Sequence, residues 1–337
     1  MTEENTVKKG KSLAFSFGDP EPVMSNNLAD YTGTFLDIHG EYYQPPVSLS
    51  GLAKLMKANP HHNSILHFKK NMILKWFIPV KDVLSYNTLQ KLALDYVVTG
   101  NFYPQLFKNR FGRVMRVGPL PAVALRRKRD ANKFIKLQKD GSSIEFREGE
   151  VLHLTEPDLL QDIYGVPEYL GGIQSVMLSE DAGLFRRKYY LNGAHMGYIL
   201  LTNDADLDED DAKSIEKMVK ESKGPGNFRS MYINIGRSQA KEPVQVIPVG
   251  DIGTKDEFER IKNITKNEIL SMHRMYPGLS GVMPENNNGF GDLQKMMEVY
   301  YELEAIPLQQ AFLEMNDLVG REIVRFKEPD WKKDLVA

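Results

Sequence analysis

EYLGGIQSVMLSEDAGLFRRKYYLNG, residues 168–193, is the stretch around which the rest of the chain falls into order. Its pattern is helical from Glu168 to Asn192, and Asn192-Gly193 is the pair that stops a helix by adopting a left-handed turn. A second long helix starts at Thr254, whose hydroxyl can cap it, and runs through Met275 until Pro277 ends it. Between the two lie short β-prone runs, Tyr198–Leu201, Phe228–Ile235 and Val244–Val249. A polar helix over Asp208–Glu221 and a loop, Lys223-Gly224-Pro225-Gly226-Asn227, fill the remainder. Two long helices thus bracket a small α/β segment.

Working outward, residues 278–291 form a loop rich in Gly and Asn, followed by a last long helix over Asp292–Val319. Pro307 is expected to kink that helix, because it lacks an N–H and clashes with the preceding turn. Upstream, helices are expected from Ser50, as cap, through Leu52, Leu55 and Met56, over His62–Trp76, and over Ser85–Thr99 closed by Gly100-Asn101. The period then changes. Phe102–Phe107, Val114–Val117 and Ile144–Phe146 read as strands of a small antiparallel sheet. Residues 1–30 are polar and read as a flexible N-terminal arm. The class is α+β, and no internal repeat is present.

The 337 residues carry 43 Lys+Arg against 45 Asp+Glu, a balance that argues against a protein gripping nucleic acid over its whole surface. The charges are segregated. Eleven Lys+Arg and one acid, Asp130, lie between Lys108 and Lys139, including the run Arg126-Arg127-Lys128-Arg129, whereas six of the eight residues 204–211 are acidic. Zero cysteines exclude disulfides, thiolate-bound zinc, Fe–S clusters and a cysteine nucleophile. No run approaches the ~20 apolar residues that span a bilayer, and no signal-peptide core is present, so a soluble intracellular protein is expected.

Motifs that would carry catalysis fail on inspection. His61-His62 and His67 lack the partners of a metal helix and read as a helix-start pair plus a surface histidine. Asp204, Asp206, Asp208 and Asp210 alternate as a calcium loop does, but Glu209 and Ile215 stand where such a loop needs Gly and Glu. Gly224-Pro225-Gly226 cannot cradle phosphate, since proline removes a needed N–H. Neither a catalytic site, a metal nor a cofactor is expected.

Several strings are more specific than composition: FSFGDPEP (15–22), YYQPPVS (42–48), ANPHH (58–62), DYVVTGN (95–101), IYGVPEYL (163–170), LFRRKYYLNGAH (184–195), SKGPGNFR (222–229) and KDEFERIK (255–262). Together, and in this order over about residues 15–320, they resemble the portal proteins of PBSX-type and P-two-like tailed bacteriophages, also called head–tail connector vertex proteins. One departure concerns the family's His-Arg-Val-Pro-Pro, which here is His273-Arg274-Met275-Tyr276-Pro277, with Gly281 following.

The resemblance implies a portal fold assembled as a ring of about twelve subunits, which conducts double-stranded DNA, irrespective of sequence, through one capsid vertex during packaging and ejection. It implies a wing over 31–167, stem helices over 168–193 and 251–276, and an α/β clip over 194–250. A tunnel loop over 277–291 and a kinked helix with a short crown or wing return over 292–337 complete the chain. Under this reading Glu285, Asn286, Asn287 and Asn288 face the channel, Arg186, Arg187, Lys188 and Lys262 contact neighbouring subunits, and Asp206, Asp208 and Asp210 dock a clip partner. Arg126, Arg127, Lys128 and Arg129 form a basic wing patch, for DNA, the shell or a neighbour's acids. Expected partners are the terminase large subunit, capsid and scaffold proteins, and head-completion or neck proteins, in a virion assembled in the host bacterial cytoplasm and with no membrane. A stem helix of ~22 residues would be ~33 Å long, close to one DNA turn of ~34 Å. Other readings are a cytoplasmic nucleic-acid-binding protein without a channel and, lastly, a nuclease.

Overall fold

Ser48, not Ser50, begins the first helix: its hydroxyl accepts from the Gly51 N–H at 3.1 Å, and the helix α1 spans Leu49–Ala58. The computed structural model describes residues 36–37, 40–130, 133–191, 198–202, 231–234, 244–248, 254–281 and 291–333. Asn59 separates α1 from α2 (Pro60–Leu74), where its side-chain oxygen caps the His61 and His62 N–H groups and Pro60 takes the first turn, a position that needs no donor. Ser85 caps α3 (Tyr86–Thr99), and Gly100, at φ 70°, ends it as the Gly-Asn pair predicts.

Strands β1 (Asn101–Lys108) and β2 (Val114–Leu120) form an antiparallel hairpin, to which β6 (Leu154–Thr155) adds on the other edge of β1. The basic stretch does not lie on that sheet alone. A separate sheet, β3 (Leu125–Arg127), β4 (Phe134–Leu137) and β5 (Ser143–Glu145), carries its second half, and the first two of these strands are not among those expected from the sequence. After a 3-10 segment, Glu168–Gly172, helix α4 (Ile173–Leu191) leads into β7 (Tyr198–Thr202). Strand β7 pairs parallel to β8 (Met231–Asn234) and antiparallel to β9 (Val244–Pro248). The expected helix 208–221 and the stop at Asn192-Gly193 lie outside the described residues.

Helix α5 (Thr254–Met272) is shorter than expected: Arg274 adopts φ 52°, so the helix cannot reach Met275. Tyr276, at φ −70° and ψ 131°, takes the conformation that a proline ring would impose, and one helical turn, Pro277–Ser280, follows before Gly281 at φ 73°. Tyr276 thus enters the turn with the dihedrals a proline would have.

Just ahead of Pro307, where a kink is expected, the helix changes type. Helix α6 (Leu293–Tyr300), capped by Asp292, continues through a π-helical turn, Tyr301–Ala305, into α7 (Ile306–Val319). The wider turn, with Ile306 N–H donating to the Tyr301 carbonyl, takes up the register that the proline disrupts.

One apolar core joins α1, α2 and α3 to β1, the foot of α4, the end of α5 and the α6–α7 helix. Aromatic rings do much of the joining. Phe312 of α7 stacks on Phe102 at 4.5 Å and meets Tyr96 edge-on, while Trp76, in the turn after α2, meets Tyr301 and Trp331. The C-terminal helix is thereby packed into the N-terminal half. A smaller cluster, with Tyr103, Leu125 and Phe134, lies under the second sheet.

Two of the quoted strings, DYVVTGN and IYGVPEYL, meet at one point. Buried Asn101 donates to the carbonyls of Thr99 (2.7 Å) and Gly165 (2.8 Å) and accepts from the Gly165 N–H at 2.7 Å. A Cβ on Gly165 would run into the Gly100 carbonyl oxygen and lie 2.7 Å from the Glu156 nitrogen. Gly165→Ala is expected to cost about 3 kcal/mol, because both obstacles are backbone. Gly171→Ala, which meets nothing within 4 Å, should change stability by less than about 0.5 kcal/mol. Urea unfolding of the two variants checks this.

Candidate functional site

Helices α4 and α5 lie antiparallel, as the pairings Gly172 with Met272, Ser175 with Glu268 (2.6 Å) and Arg186 with Lys262 require. Each has 19 residues, so each is about 28 Å long, somewhat less than the one DNA turn expected. The pair joins the main core at one end and connects to the β7–β9 sheet at the other.

Cations face each other across this pair. Burial and the nearby Arg186 guanidinium both lower the Lys262 pKa, and burial, followed by the charges of Lys266 and Lys262, lowers that of His61. Arg186 and Arg187 are exposed, and among the described residues neither they nor Lys262 has a carboxylate within ion-pair distance. The structure therefore brings together Arg186 and Lys262, two of the four residues expected at subunit contacts. Like charges held side by side destabilise an isolated chain.

The basic run 126–129 is less of a patch than its sequence suggests. Arg126 turns back and donates to the carbonyls of Val123 (3.0 Å) and Leu125 (2.8 Å). Lys128 pairs with Glu145 at 3.1 Å, Arg127 is half-buried, and only Arg129 of the four is exposed. Pairing with another element of the same subunit thus takes up part of the charge. Glu285, Asn286, Asn287, Asn288, Asp206, Asp208 and Asp210 lie outside the described residues, as does the side chain of Lys188.

Sequence reasoning missed the joint where the helix pair meets the core. His62, read as part of a helix-start pair, is fully buried, and its Nδ1 lies 2.9 Å from Nε2 of His273 at the end of α5. The arrangement costs least with His62 Nδ1–H donating, because its buried Nε2, which has no partner among the described residues, then carries a lone pair rather than an N–H. Beside the histidines, buried Lys69 of α2 lies 3.3 Å from Glu168 and 3.7 Å from Glu304 of the π turn. Arg274 binds the same two carboxylates, Glu304 through Nε at 2.6 Å and Glu168 through a terminal nitrogen. Burial raises the Glu168 pKa, but Lys69 and Arg274 outweigh it and hold the carboxyl below its ordinary value. Two of these residues, His62 and His273, are 211 positions apart, which no single-sequence spacing reveals.

Burial lowers the pKa of His62 to about 4, and burial, followed by the charges of His62, Lys69 and Arg274, lowers that of His273 to about 2. Below pH 6.5 the unfolded chain binds protons that the folded joint refuses, so this stability is complete above that pH and is lost as the pH falls toward 4. Asp95, half-buried and raised to about 6 by burial, contributes in the opposite sense. A comparison with a variant separates the two. The stability advantage of wild type over His62→Gln should shrink by about 2 kcal/mol between pH 7 and pH 5 in urea titrations.

A sequence profile of the phage portal protein family matches residues 78–327. The probable portal protein of Escherichia phage P2 is 37% identical over 323 residues, 96% of this chain and 93% of its own length. That of Haemophilus phage HP1 (strain HP1c1) is 40% identical over 297 residues, 87% of this chain and 86% of its own. Among solved structures, a chain from the virion of a native gene transfer agent particle superposes with a TM-score of 0.58 at 15% identity, covering 85% of this chain and 87% of that one. A HK97-family phage portal protein from Corynebacterium diphtheriae gives a TM-score of 0.57 at 12% identity, covering 85% and 97%. At such identities likeness establishes fold, and the α+β portal fold expected from the resemblance is the one this chain adopts. With the sequence kinship spanning nearly its whole length, the chain belongs to the phage portal protein family.

Proposed function

We propose that this portal protein assembles as a closed ring of twelve subunits at one capsid vertex, the conduit by which double-stranded DNA enters during packaging and leaves at ejection. The observation that carries the reading is kinship with a probable portal protein over 96% of the chain. A neck computed with C12 symmetry in the gene transfer agent supports the subunit number. On this reading residues 31–167 with the return of 292–337 are the wing, 168–193 and 251–276 the stem, 194–250 the clip and 277–291 the tunnel loop.

The electrostatics suit a conduit. Each phosphate neutralised adds steeply to affinity, so a channel that must let DNA slide is better lined by polar groups without fixed positive charge than by cations. A loop containing Glu285, Asn286, Asn287 and Asn288 meets that need. Arg186 and Lys262, without an ion-pair partner among the described residues, are assigned with Arg187 and Lys188 to a neighbouring subunit's carboxylates, and the acidic run around Asp206, Asp208 and Asp210 to a collar where terminase and later neck proteins dock. The protein is read as a structural component, with ATP hydrolysis supplied by a separate terminase. Capsid and scaffold proteins surround the wing in a particle assembled in the bacterial cytoplasm.

Light scattering with electron microscopy of the same peak tests the ring. A species near twelve times 38.4 kDa with a central hole, wide enough for a duplex of ~20 Å across its phosphates, is expected. A chain that stays monomeric with scaffold and shell protein present would overturn the reading. Arg187→Glu should reduce ring yield at least several-fold, whereas intact rings that package poorly would assign Arg187 to DNA. Neutralising Asp206, Asp208 and Asp210 together should weaken terminase binding in a pull-down without reducing ring yield, and unchanged binding would refute the collar.

A further inference from the structure

Two rigid turns hold apolar side chains out into solvent at opposite ends of strand β1. The first is the tip of the β1–β2 hairpin, Lys108-Asn109-Arg110-Phe111-Gly112-Arg113. Asn109 builds it: its side-chain oxygen accepts the Phe111 and Arg113 N–H groups, both at 3.0 Å, and Gly112 closes the turn at φ 79°. Phe111 is left 95% exposed. Arg110 and Arg113 flank it, exposed and without an ion-pair partner among the described residues.

The second is the loop after β6, Glu156-Pro157-Asp158-Leu159-Leu160-Gln161-Asp162. Gln161 builds this one. Its oxygen accepts from the N–H groups of Ile163 (3.0 Å) and Tyr164 (2.8 Å), and its nitrogen donates to Asp158 at 3.0 Å and to the Tyr164 carbonyl. Leu159 is fully exposed at 103% and Leu160 is 53% exposed, with Asp162 exposed beside them.

Single exposed apolar residues are ordinary. What distinguishes these is pairing: one turn is aromatic and basic, the other aliphatic and acidic, and both are pre-organised by their own hydrogen bonds, which lowers the entropy cost of binding. Their placement excludes mutual contact within a subunit. Thr155 pairs with Asn101 at the start of β1, whereas the hairpin tip follows Lys108 at its end, so the two turns are about 25 Å apart along the strand. Complementary surfaces at opposite ends of one element are what a head-to-tail interface needs, and such an interface repeated by rotation closes a ring.

We propose that the hairpin tip bearing Phe111, Arg110 and Arg113 of one subunit docks on the Leu159–Asp162 loop of the next copy of this chain. Phe111 covers the two leucines, and the arginines meet Asp162. The contact rests on the ring reading only for its closure.

The absence of cysteine from the chain permits a direct test in the full-length protein. Phe111→Cys and Leu159→Cys are introduced together, at exposed positions where folding is not at stake, and the assembled protein is mildly oxidised and viewed by electron microscopy. A ladder of disulfide-linked oligomers up to the complete ring is expected, and a mixture of the two single variants should yield linked dimers only. Rings without linkage would overturn the docking and leave the ring standing. Linked open chains would uphold the docking and overturn the ring, and neither rings nor links would overturn both. Arg110→Glu with Arg113→Glu should lower ring yield roughly tenfold, and adding Asp162→Lys should restore it. A loss of DNA packaging in fully formed, unlinked rings would assign the tip to DNA instead.

Discussion

The buried ammonium of Lys69 lies between the carboxylates of Glu168 and Glu304, and Arg274 ties the same two carboxylates together from outside. Four segments distant in the chain contribute one member each: α2, the 3-10 turn before α4, the residue pair after α5, and the π turn between α6 and α7. A lysine this deep in apolar surroundings is tolerable only while both acids are present, since removing one partner leaves a buried charge uncompensated at a cost of about 3–5 kcal/mol. The network therefore acts as a condition on geometry. The helix pair must leave the core at the place and angle that bring Glu168 and Arg274 to Lys69.

Local backbone distortions follow from that condition. Arg274 takes a left-handed conformation, uncommon for a side chain other than glycine and costing of order 1 kcal/mol. The same backbone turn ends α5 and delivers the guanidinium to both acids. The π turn Tyr301–Ala305 takes up the register disturbed by Pro307 and carries Glu304 to Lys69 and Arg274. The neutral histidine pair packs against the network, with Tyr169 edge-on to His62 at 4.7 Å. A joint assembled in this way resists small rotations of the helix pair, because each displacement breaks hydrogen bonds to the buried Lys69 and Glu304.

Much of the secondary structure is legible in the residues because its causes are local. Ser85 and Gly100 bound α3, Asn59-Pro60 divides α1 from α2, and Asp292 caps α6, each through a hydrogen bond or dihedral limit acting within a few positions. Legibility fails where a distant group decides. The sequence of α5 allows helix to Met275, but the chain closes at Met272, with the Met275 N–H donating back to the Leu270 carbonyl and Arg274 turned toward Glu168 and Glu304. The run Arg126–Arg129 looks like an exposed basic surface until Glu145 and the carbonyls of Val123 and Leu125 take up two of its charges.

By itself the sequence determined the family, the α+β class, the long helices with the strands between them, and the segregation of charge, because ordered motifs and periodic burial need no knowledge of partners in space. Only the tertiary structure decided that His62 is buried against His273, that Asn101 ties DYVVTGN to IYGVPEYL, and that Phe111 and Leu159 stand at opposite ends of β1. The physical reason is that burial and long-range pairing depend on which surfaces meet, a property of the assembled core that no local stretch of chain carries.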